Sequence, residues 1–202
     1  MARPKHRVLR NRRRHEGSRS NLLLRSDNLA AWVNNRAVDE ANQGTEPLFG
    51  FNNAWKVTDD ALTGTNSANM YQILTVDTNT QYTYSGYYKS DQSQWTNHFI
   101  SNLDGLAINC YFDLVNGVAG STGAQTDEAR ITEEGDGWYR CSITFSTTTD
   151  TSCAVVIALA EGDGDQIVTR DGSNSIFWYG AQLSKDDRPI DYIPTQATAV
   201  IG

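Results

Sequence analysis

The 202-residue chain has few of the features that mark membrane or secreted proteins. Its longest apolar run, Cys153 to Ala160, has eight residues, far short of the roughly 20 that cross a bilayer. A secretory signal is not expected either, because only Leu22 to Leu24 follow the basic start, where a longer apolar run would be needed. The sequence therefore predicts neither a membrane-spanning helix nor a cleaved signal.

Cysteine is also scarce. The three cysteines, Cys110, Cys141 and Cys153, are an odd number, form no CxxC pair and lack the spacing of a zinc site. Free cysteine is among the most buried residue types, so reduced thiols in the core are the expectation. No cofactor is predicted from them.

Catalytic patterns are missing as well. The sequence has no GxSxG motif and no P-loop, and two of its three histidines lie near the N-terminus. The third, His98, falls in a predicted strand and is interpreted as structural. Neighbouring acids on a strand point to opposite faces, which argues against paired catalytic carboxylates. These pairs are Asp59–Asp60, Glu133–Glu134 and Asp186–Asp187. No catalytic residue is assigned, and the protein is expected not to be an enzyme.

One acidic segment could hold an ion. Glu161, Asp163 and Asp165 alternate with Gly162 and Gly164, which could gather oxygen ligands around calcium. The segment is not an EF-hand, because the ligand at the fifth position and the distal Glu are missing. A flexible acidic turn is the alternative interpretation, and calcium is the one metal considered.

Charge is distributed very unevenly along the chain. Residues 1–25 contain nine Lys or Arg and one acid, Glu16, for a net charge of +8. The remaining residues contain eight basic and 23 acidic side chains, for −15. Residues 1–20 have too few apolar side chains to fold alone, so we predict a basic extended arm at 1–20 and one folded domain at 21–202.

The arm has three interpretations. Docking onto an acidic protein surface is favoured, because an arm can become ordered on binding. Contact with nucleic acid is disfavoured by the strongly acidic body, and a plain disordered tail remains possible. The predicted partner contacts are Arg7, Arg10, Arg12, Arg13, Arg14 and Arg19.

Alternating apolar and polar residues in the body predict strands rather than helices. In three segments the alternation defines a row of residues facing the core. These rows are Ile108, Cys110, Phe112 and Leu114; Tyr139, Cys141, Ile143 and Phe145; and Cys153, Val155, Ile157 and Leu159. All three cysteines fall on these rows, which supports the buried-thiol interpretation.

Four more strands are predicted, at residues 69–76, 81–89, 95–101 and 175–183. Residues 30–41 could form a turn or two of helix, although Val33, Asn34 and Asn35 disfavour it. Many strands and few helices indicate an all-β protein. The predicted fold is an antiparallel β-sandwich of jelly-roll type.

Aromatic residues are frequent, with four tyrosines in one segment, Tyr82 to Tyr88. Exposed rings on a sheet can stack on sugars, but rings at alternate positions of a strand more often belong to the core. Carbohydrate binding stays possible, and no residue is assigned to it.

Four segments together resemble a jelly-roll module that recurs in virion proteins of tailed bacteriophages and is similar in fold to carbohydrate-binding modules. They are NLLLRSDNLAAWV at 21–33, YTYSGYYKS at 82–90, GDGWYRC at 135–141 and FWYGAQLSKDDRPIDYIPT at 177–195. The resemblance implies an architecture and a virion context, and it transfers no catalytic residue. The residues expected to specify the fold are Gly135, Gly137, Trp138, Tyr139, Gly180, Tyr192 and Pro194.

The resemblance also implies a structural role in the phage particle, assembled in the bacterial cytoplasm. A sandwich with one basic arm suits a capsid decoration, or cement, protein that docks on the major capsid protein, and the resemblance implies a homo-oligomer such as a trimer. A tail component such as a fibre or tailspike adaptor or a baseplate protein, and a module that binds host surface glycans, are the alternatives. Removing residues 1–20 is expected to abolish docking and leave the sandwich folded.

Overall fold

Fourteen strands and one short 3-10 turn, Leu29–Ala31, account for the regular structure of residues 20–103 and 105–201, which this computed structural model describes. The strands, in chain order, are β1 (Val33–Asn35), β2 (Ala37–Gly44), β3 (Ala54–Asp59), β4 (Thr65–Asn66), β5 (Asn69–Thr75), β6 (Gln81–Ser90), β7 (Trp95–Ser101), β8 (Ile108–Asp113), β9 (Val118–Thr122), β10 (Thr126–Gly135), β11 (Trp138–Ser146), β12 (Ser152–Ala160), β13 (Val168–Thr169) and β14 (Ser175–Ser184).

Twelve of these strands form two six-stranded sheets. Sheet I has the order β1-β5-β12-β7-β8-β9, and sheet II has the order β10-β11-β6-β14-β3-β2. Neighbouring strands are antiparallel throughout, and β4 and β13 make a separate two-stranded ribbon. The two sheets pack face to face around one core, which confirms the predicted all-β jelly-roll sandwich.

The predicted core rows meet between the sheets. Cys110 on β8 and Cys153 on β12 project from sheet I, and Cys141 on β11 projects from sheet II. All three cysteines are free and fully buried, as predicted. Burial raises the pKa of the Cys110 and Cys153 thiols to about 12, so both stay protonated at neutral pH.

His98 also lies in this core, as expected for a structural histidine. Its ring centroid is 4.3 Å from that of Tyr88, 4.9 Å from Phe112 and 5.3 Å from Tyr84. Neither ring nitrogen has a hydrogen-bond partner in the described part of the chain. Burial lowers the pKa of His98 to about 3, so the side chain is neutral at physiological pH.

The segment at residues 30–41 contains no α-helix. The chain makes one 3-10 turn, capped by the Asn28 side chain, which accepts a hydrogen bond from the Ala30 amide at 3.1 Å. Two strands, β1 and β2, follow at once. Val33 and Asn34 have poor helix propensity, and pairing of Val33 with Tyr71 on β5 satisfies the backbone instead.

The outer face of sheet II is covered by the chain itself. A loop at 45–53 and a segment at 185–195 lie on it and enclose a second apolar cluster. The cluster consists of Ala54, Tyr87, Trp138 and Tyr179, with Leu48, Phe177 and Tyr192 packed against them. Polar contacts fix the cover: the Trp138 indole donates to the Thr45 carbonyl at 3.1 Å, and Arg140 donates to the Ile190 carbonyl at 2.5 Å.

Gly180 explains how the C-terminal segment sits so close to β14. Its φ of +59° marks a bulge in the pairing of β14 with β6, and a Cβ there would lie 3.2 Å from the Tyr192 ring. Glycine therefore permits both the backbone conformation and the close approach of Tyr192. The Tyr192 hydroxyl forms a 2.7 Å hydrogen bond with Ser26 Oγ.

The first described residues are fastened to the end of this cover. Asn21 is fully buried, and its amide donates to the Ala181 carbonyl at 3.0 Å and to the Ile193 carbonyl at 2.8 Å. Its side-chain oxygen accepts from the Leu183 amide at 3.2 Å. Asn21 also pairs with Val200 in an isolated antiparallel bridge, which holds both ends of the described chain together.

Candidate binding site on the outer face of sheet I

Two rows of side chains run side by side across the outer face of sheet I. Strand register places Val33, Tyr71, Val156, Phe99 and Asn109 in one row, which we call the apolar row. The register places Asn35, Asn69, Ala158, Asn97 and Tyr111 in the next, which we call the amide row. Residues two apart on a strand share a face, so both rows point away from the core.

Within the described ranges, this face stays open at two depressions that share Phe99 as a common wall. Each has a volume of about 280 Å³. One lies between Phe99 and Tyr111, with Leu106, Ala107 and Ile108 along its side. The other lies between Phe99 and Tyr71 and has Ala154 and Val156 on its floor. The small side chains of the central strand β12 leave room between the taller rings of β5 and β7.

Amide groups line both depressions. Asn97 is almost fully buried, and its Nδ2 donates to Oε1 of Gln166 at 3.0 Å. The Asn97 carbonyl oxygen has no hydrogen-bond donor among the described residues. Asn69 donates to Ser67 Oγ at 3.0 Å and accepts from Asn35 at 3.4 Å. These side chains offer both donors and acceptors next to aromatic rings.

The strands of sheet I carry almost no charge. Asp113 is the single acidic residue in the six strands, which contain no Lys or Arg. Its carboxylate accepts from the amides of Val115 and Asn116 at 2.9 Å and from Gln94 Nε2 at 2.8 Å. At the other edge, the exposed Arg36 donates to Asn35 at 3.2 Å. The face itself is polar but uncharged.

The structure does not bring the three calcium candidates together. Each carboxylate accepts from a different backbone amide: Asp163 from Ser121 at 2.6 Å, Asp165 from Ile167 at 2.9 Å and Glu161 from Thr169 at 2.7 Å. In residues 20–103 and 105–201, no three His, Cys, Asp or Glu side chains are arranged to hold a metal ion. The Asp163 bond holds the loop after β12 against β9, the Asp165 bond lies within the loop, and the Glu161 bond reaches β13. Because β9 pairs with β8, the Asp163 bond places the acidic loop near the Tyr111 end of the rows. Burial, and then the charges of Asp165 and Asp163, raise the pKa of Tyr111.

The other predicted site residues lie elsewhere. The arm contacts Arg7, Arg10, Arg12, Arg13, Arg14 and Arg19 fall outside the described residues. The residues expected to specify the fold belong to sheet II and its connections. Gly135 and Gly137, with φ of +89° and +78°, form the turn between β10 and β11, and Trp138 and Tyr139 begin β11. Gly180 and Tyr192 make the contact described above, and the exposed Pro194 follows in the segment that leaves the sheet.

Sequence reasoning missed the rings that line the two depressions: Tyr71 and Phe99 are half-buried, and Tyr111 is 7% exposed at one end of the amide row. The tyrosines that attracted attention in the sequence, Tyr82 to Tyr88, are buried. Tyr82, Tyr84 and Tyr88 lie in the core between the sheets, as interpreted from the sequence, whereas Tyr87 is buried in the second cluster on the outer face of sheet II. A signal for the open face was present, because Tyr111 alternates with the core row of β8.

The fold of this chain is similar to the folds of several solved structures. The chain is similar to TmCBM61, solved in complex with β-1,4-galactotriose, with a TM-score of 0.50 and 11% identity over 82% of this chain and 99% of that one. Two weaker likenesses are too distant to support a conclusion. They are the CBM22-1 xylan-binding domain of Paenibacillus barcinonensis Xyn10C (TM-score 0.43, 13% identity, 82% and 91% covered) and the enzymatically active domain of bacteriophage CBA120 tailspike protein 4 (TM-score 0.46, 10% identity, 81% and 21% covered).

No protein-family model matches the chain, and a search of curated proteins gives no match. In the part of the chain that the structure describes, no helix has the length and apolar character needed to cross a membrane. The two-sheet architecture and the likeness to TmCBM61 together show a jelly-roll β-sandwich, similar in fold to a carbohydrate-binding module.

Proposed function

We propose that the outer face of sheet I binds a carbohydrate. The observation that carries this proposal is that two half-buried rings, Tyr71 and Phe99, lie beside a row of amide side chains at two depressions open to solvent, with the buried Tyr111 at the end of that row. Binding pockets for small polar ligands combine apolar walls with a few placed polar groups. Aromatic rings contact the apolar face of a sugar, while amides pair with its hydroxyl groups.

The similarity to TmCBM61 supports the same proposal at the level of fold. That protein was solved with a bound galactotriose, and the present chain covers nearly all of it. At 11% identity the likeness concerns architecture, so the sugar bound by TmCBM61 is not assigned to this chain. The residues of the open face carry the functional argument.

A glycan array with the purified protein, followed by titration calorimetry of the hits, tests the proposal. Phe99→Ala should weaken binding by about thirtyfold, because truncating a central anchor residue costs about 2 kcal/mol. Phe49→Ala is the matched control, since Phe49 is 60% exposed in the loop at 45–53 that lies on sheet II. If Phe99→Ala leaves the affinity unchanged, the open face of sheet I is not the binding site.

The virion role predicted from the sequence remains a second proposal. Its support is the division of charge between a +8 segment and a −15 remainder, together with the resemblance to phage virion modules. No comparison supports capsid decoration, and the arm lies outside the described residues. A glycan-binding body carried by a phage tail would reconcile the two proposals, and immunogold labelling of particles would distinguish tail from capsid.

A further inference from the structure

We infer that the open face of sheet I selects an uncharged glycan that lies across the strands. This inference rests on the carbohydrate-binding function proposed above and adds the class of ligand. Three observations carry it: the parallel course of the two rows, the unpaired oxygen of Asn97 and the distribution of charge around the face.

The two rows define a direction for the ligand. Both cross the same five strands, β1, β5, β12, β7 and β8, in register. Strands are about 4.8 Å apart, so each row extends over roughly 20 Å. An extended sugar chain has apolar C–H faces and hydroxyl edges. Laid across the strands, it would place its faces on Tyr71 and Phe99 and one edge along Asn69 and Asn97.

The hydrogen bonding of the Asn97 side chain indicates which chemical group the ligand presents. Its Nδ2 donates to Gln166, whereas its carbonyl oxygen is buried without a donor in the described residues. Gln166 lies in the loop after β12 and is only partly buried, so a ligand could displace it. A hydroxyl both donates and accepts, and it can therefore pair with either end of this amide. A carboxylate only accepts, and it would leave the Asn97 carbonyl oxygen unpaired.

The charges near the face also disfavour an anion. Sheet I supplies no Lys or Arg from its strands. Asp163 accepts from the Ser121 amide on β9, which pairs with β8, so the acidic loop of Asp163 and Asp165 lies near the Tyr111 end, where it would repel an acidic sugar. Arg36, equally exposed at the opposite edge, donates to Asn35 at the end of the amide row, so the face has one cation at that end against two acids, Asp163 and Asp165, at the other.

The test compares a charged polymer with its own uncharged form and with other neutral polymers. Polygalacturonate and the same polymer after carboxyl reduction are titrated into the full-length protein, beside neutral galactan, xylan and mannan. We expect the neutral polymers to bind and polygalacturonate to bind at least tenfold more weakly. The affinity for neutral polymers should stay constant from about 20 mM to about 500 mM NaCl, which shortens the Debye length from roughly 20 Å to 4 Å.

Substitutions at the amides sharpen the test. Asn97→Asp replaces a group that donates and accepts with one that only accepts, and it should weaken neutral binding about tenfold. Asn109→Asp makes the same change at a half-buried position and serves if the first variant does not fold. Asn52→Asp, exposed in the loop that lies on sheet II, is the matched control and should leave the affinity unchanged.

The outcomes separate the two proposals. Preferred binding of polygalacturonate, weakened by salt and abolished by Phe99→Ala, would overturn the uncharged ligand and leave the binding face intact. An unchanged affinity in both amide variants would also overturn it. The carbohydrate-binding function itself would be overturned if no polymer or glycan binds, or if Phe99→Ala leaves the affinity for them unchanged.

Discussion

The two outer faces of the sandwich both carry aromatic side chains, but one face is covered by the chain and the other is open to solvent at two depressions. On sheet II, the rings of Tyr87, Trp138 and Tyr179 lie under the chain's own C-terminal segment. On sheet I, the rings of Tyr71 and Phe99 border depressions that open to solvent. Aromatic side chains on a strand therefore do not by themselves distinguish a binding face from a covered one.

The polar partners of the rings show the same difference. On sheet II, Arg140 lies 5.3 Å from the Tyr87 ring and donates to Ser85 and to a backbone carbonyl of the covering segment. On sheet I, the Asn97 carbonyl oxygen has no donor among the described residues. Arg140 Nε also has no partner among these residues, so the faces differ in where an unpaired atom lies: under the chain's own cover on sheet II, and beside an open depression on sheet I, where a ligand can reach it.

The largest expected effect comes from removing the cover of sheet II. Tyr192→Ala should lower the free energy of unfolding by about 3 kcal/mol, because the ring fills the space over Gly180 and contacts Tyr87 and Tyr179. Urea denaturation measures the change. Tyr192→Phe keeps the ring, loses the Ser26 hydrogen bond and should cost about 1 kcal/mol. Equal costs for the two variants would show that the ring is not the main contact.

The free energy of unfolding should fall in acid, because His98 is buried in the core between the two sheets. His98 stays neutral in the folded protein down to a pKa of about 3, while in the unfolded chain it takes up a proton below about 6.5. The unfolded state binds more protons between these values, so stability falls as the pH falls. From pH 7 to pH 5, this group should remove about 2 kcal/mol. His98→Leu should reduce the measured pH dependence by that amount, and an unaltered slope would contradict the assignment.

The smallest expected effect is on the stability of the open face. Phe99→Ala should lower the free energy of unfolding by less than about 1 kcal/mol, because the half-buried ring has no covering segment to hold. The same urea titrations used for Tyr192→Ala measure it. If Phe99→Ala lowers the free energy of unfolding as much as Tyr192→Ala does, Phe99 is a packing residue and the two faces do not differ in this respect.

Alternation along single strands was enough to predict much of the fold. It correctly placed Cys110, Cys141 and Cys153 in the core and predicted β7 with its observed ends. It missed seven strands, β1, β2, β3, β4, β9, β10 and β13. Of these, β2 and β10 are edge strands that are mostly exposed and rich in charge, whereas β3 is an interior strand whose short row has only Trp55 and Val57 as apolar members. Edge strands lack the regular apolar row on which the prediction depends.

The candidate site depends on strand order, which alternation does not contain. Phe99 and Tyr71 are distant in sequence and become near neighbours only because β12 pairs with both β7 and β5. The cover on sheet II depends likewise on a long-range contact, that of Tyr192 with Gly180. Each strand could be assigned its two faces from the sequence, but the neighbours of those faces could not.

The attachment of Asn21 determines how a mechanical load would enter the protein. A pull applied at Ser20 passes first to Asn21, whose side chain bonds to Ala181 and Leu183 on β14. That strand lies inside sheet II, between β6 and β3, so the tension spreads into paired strands on both sides. The body would therefore be held by an interior strand, which resists shear, and not by an edge that peels away.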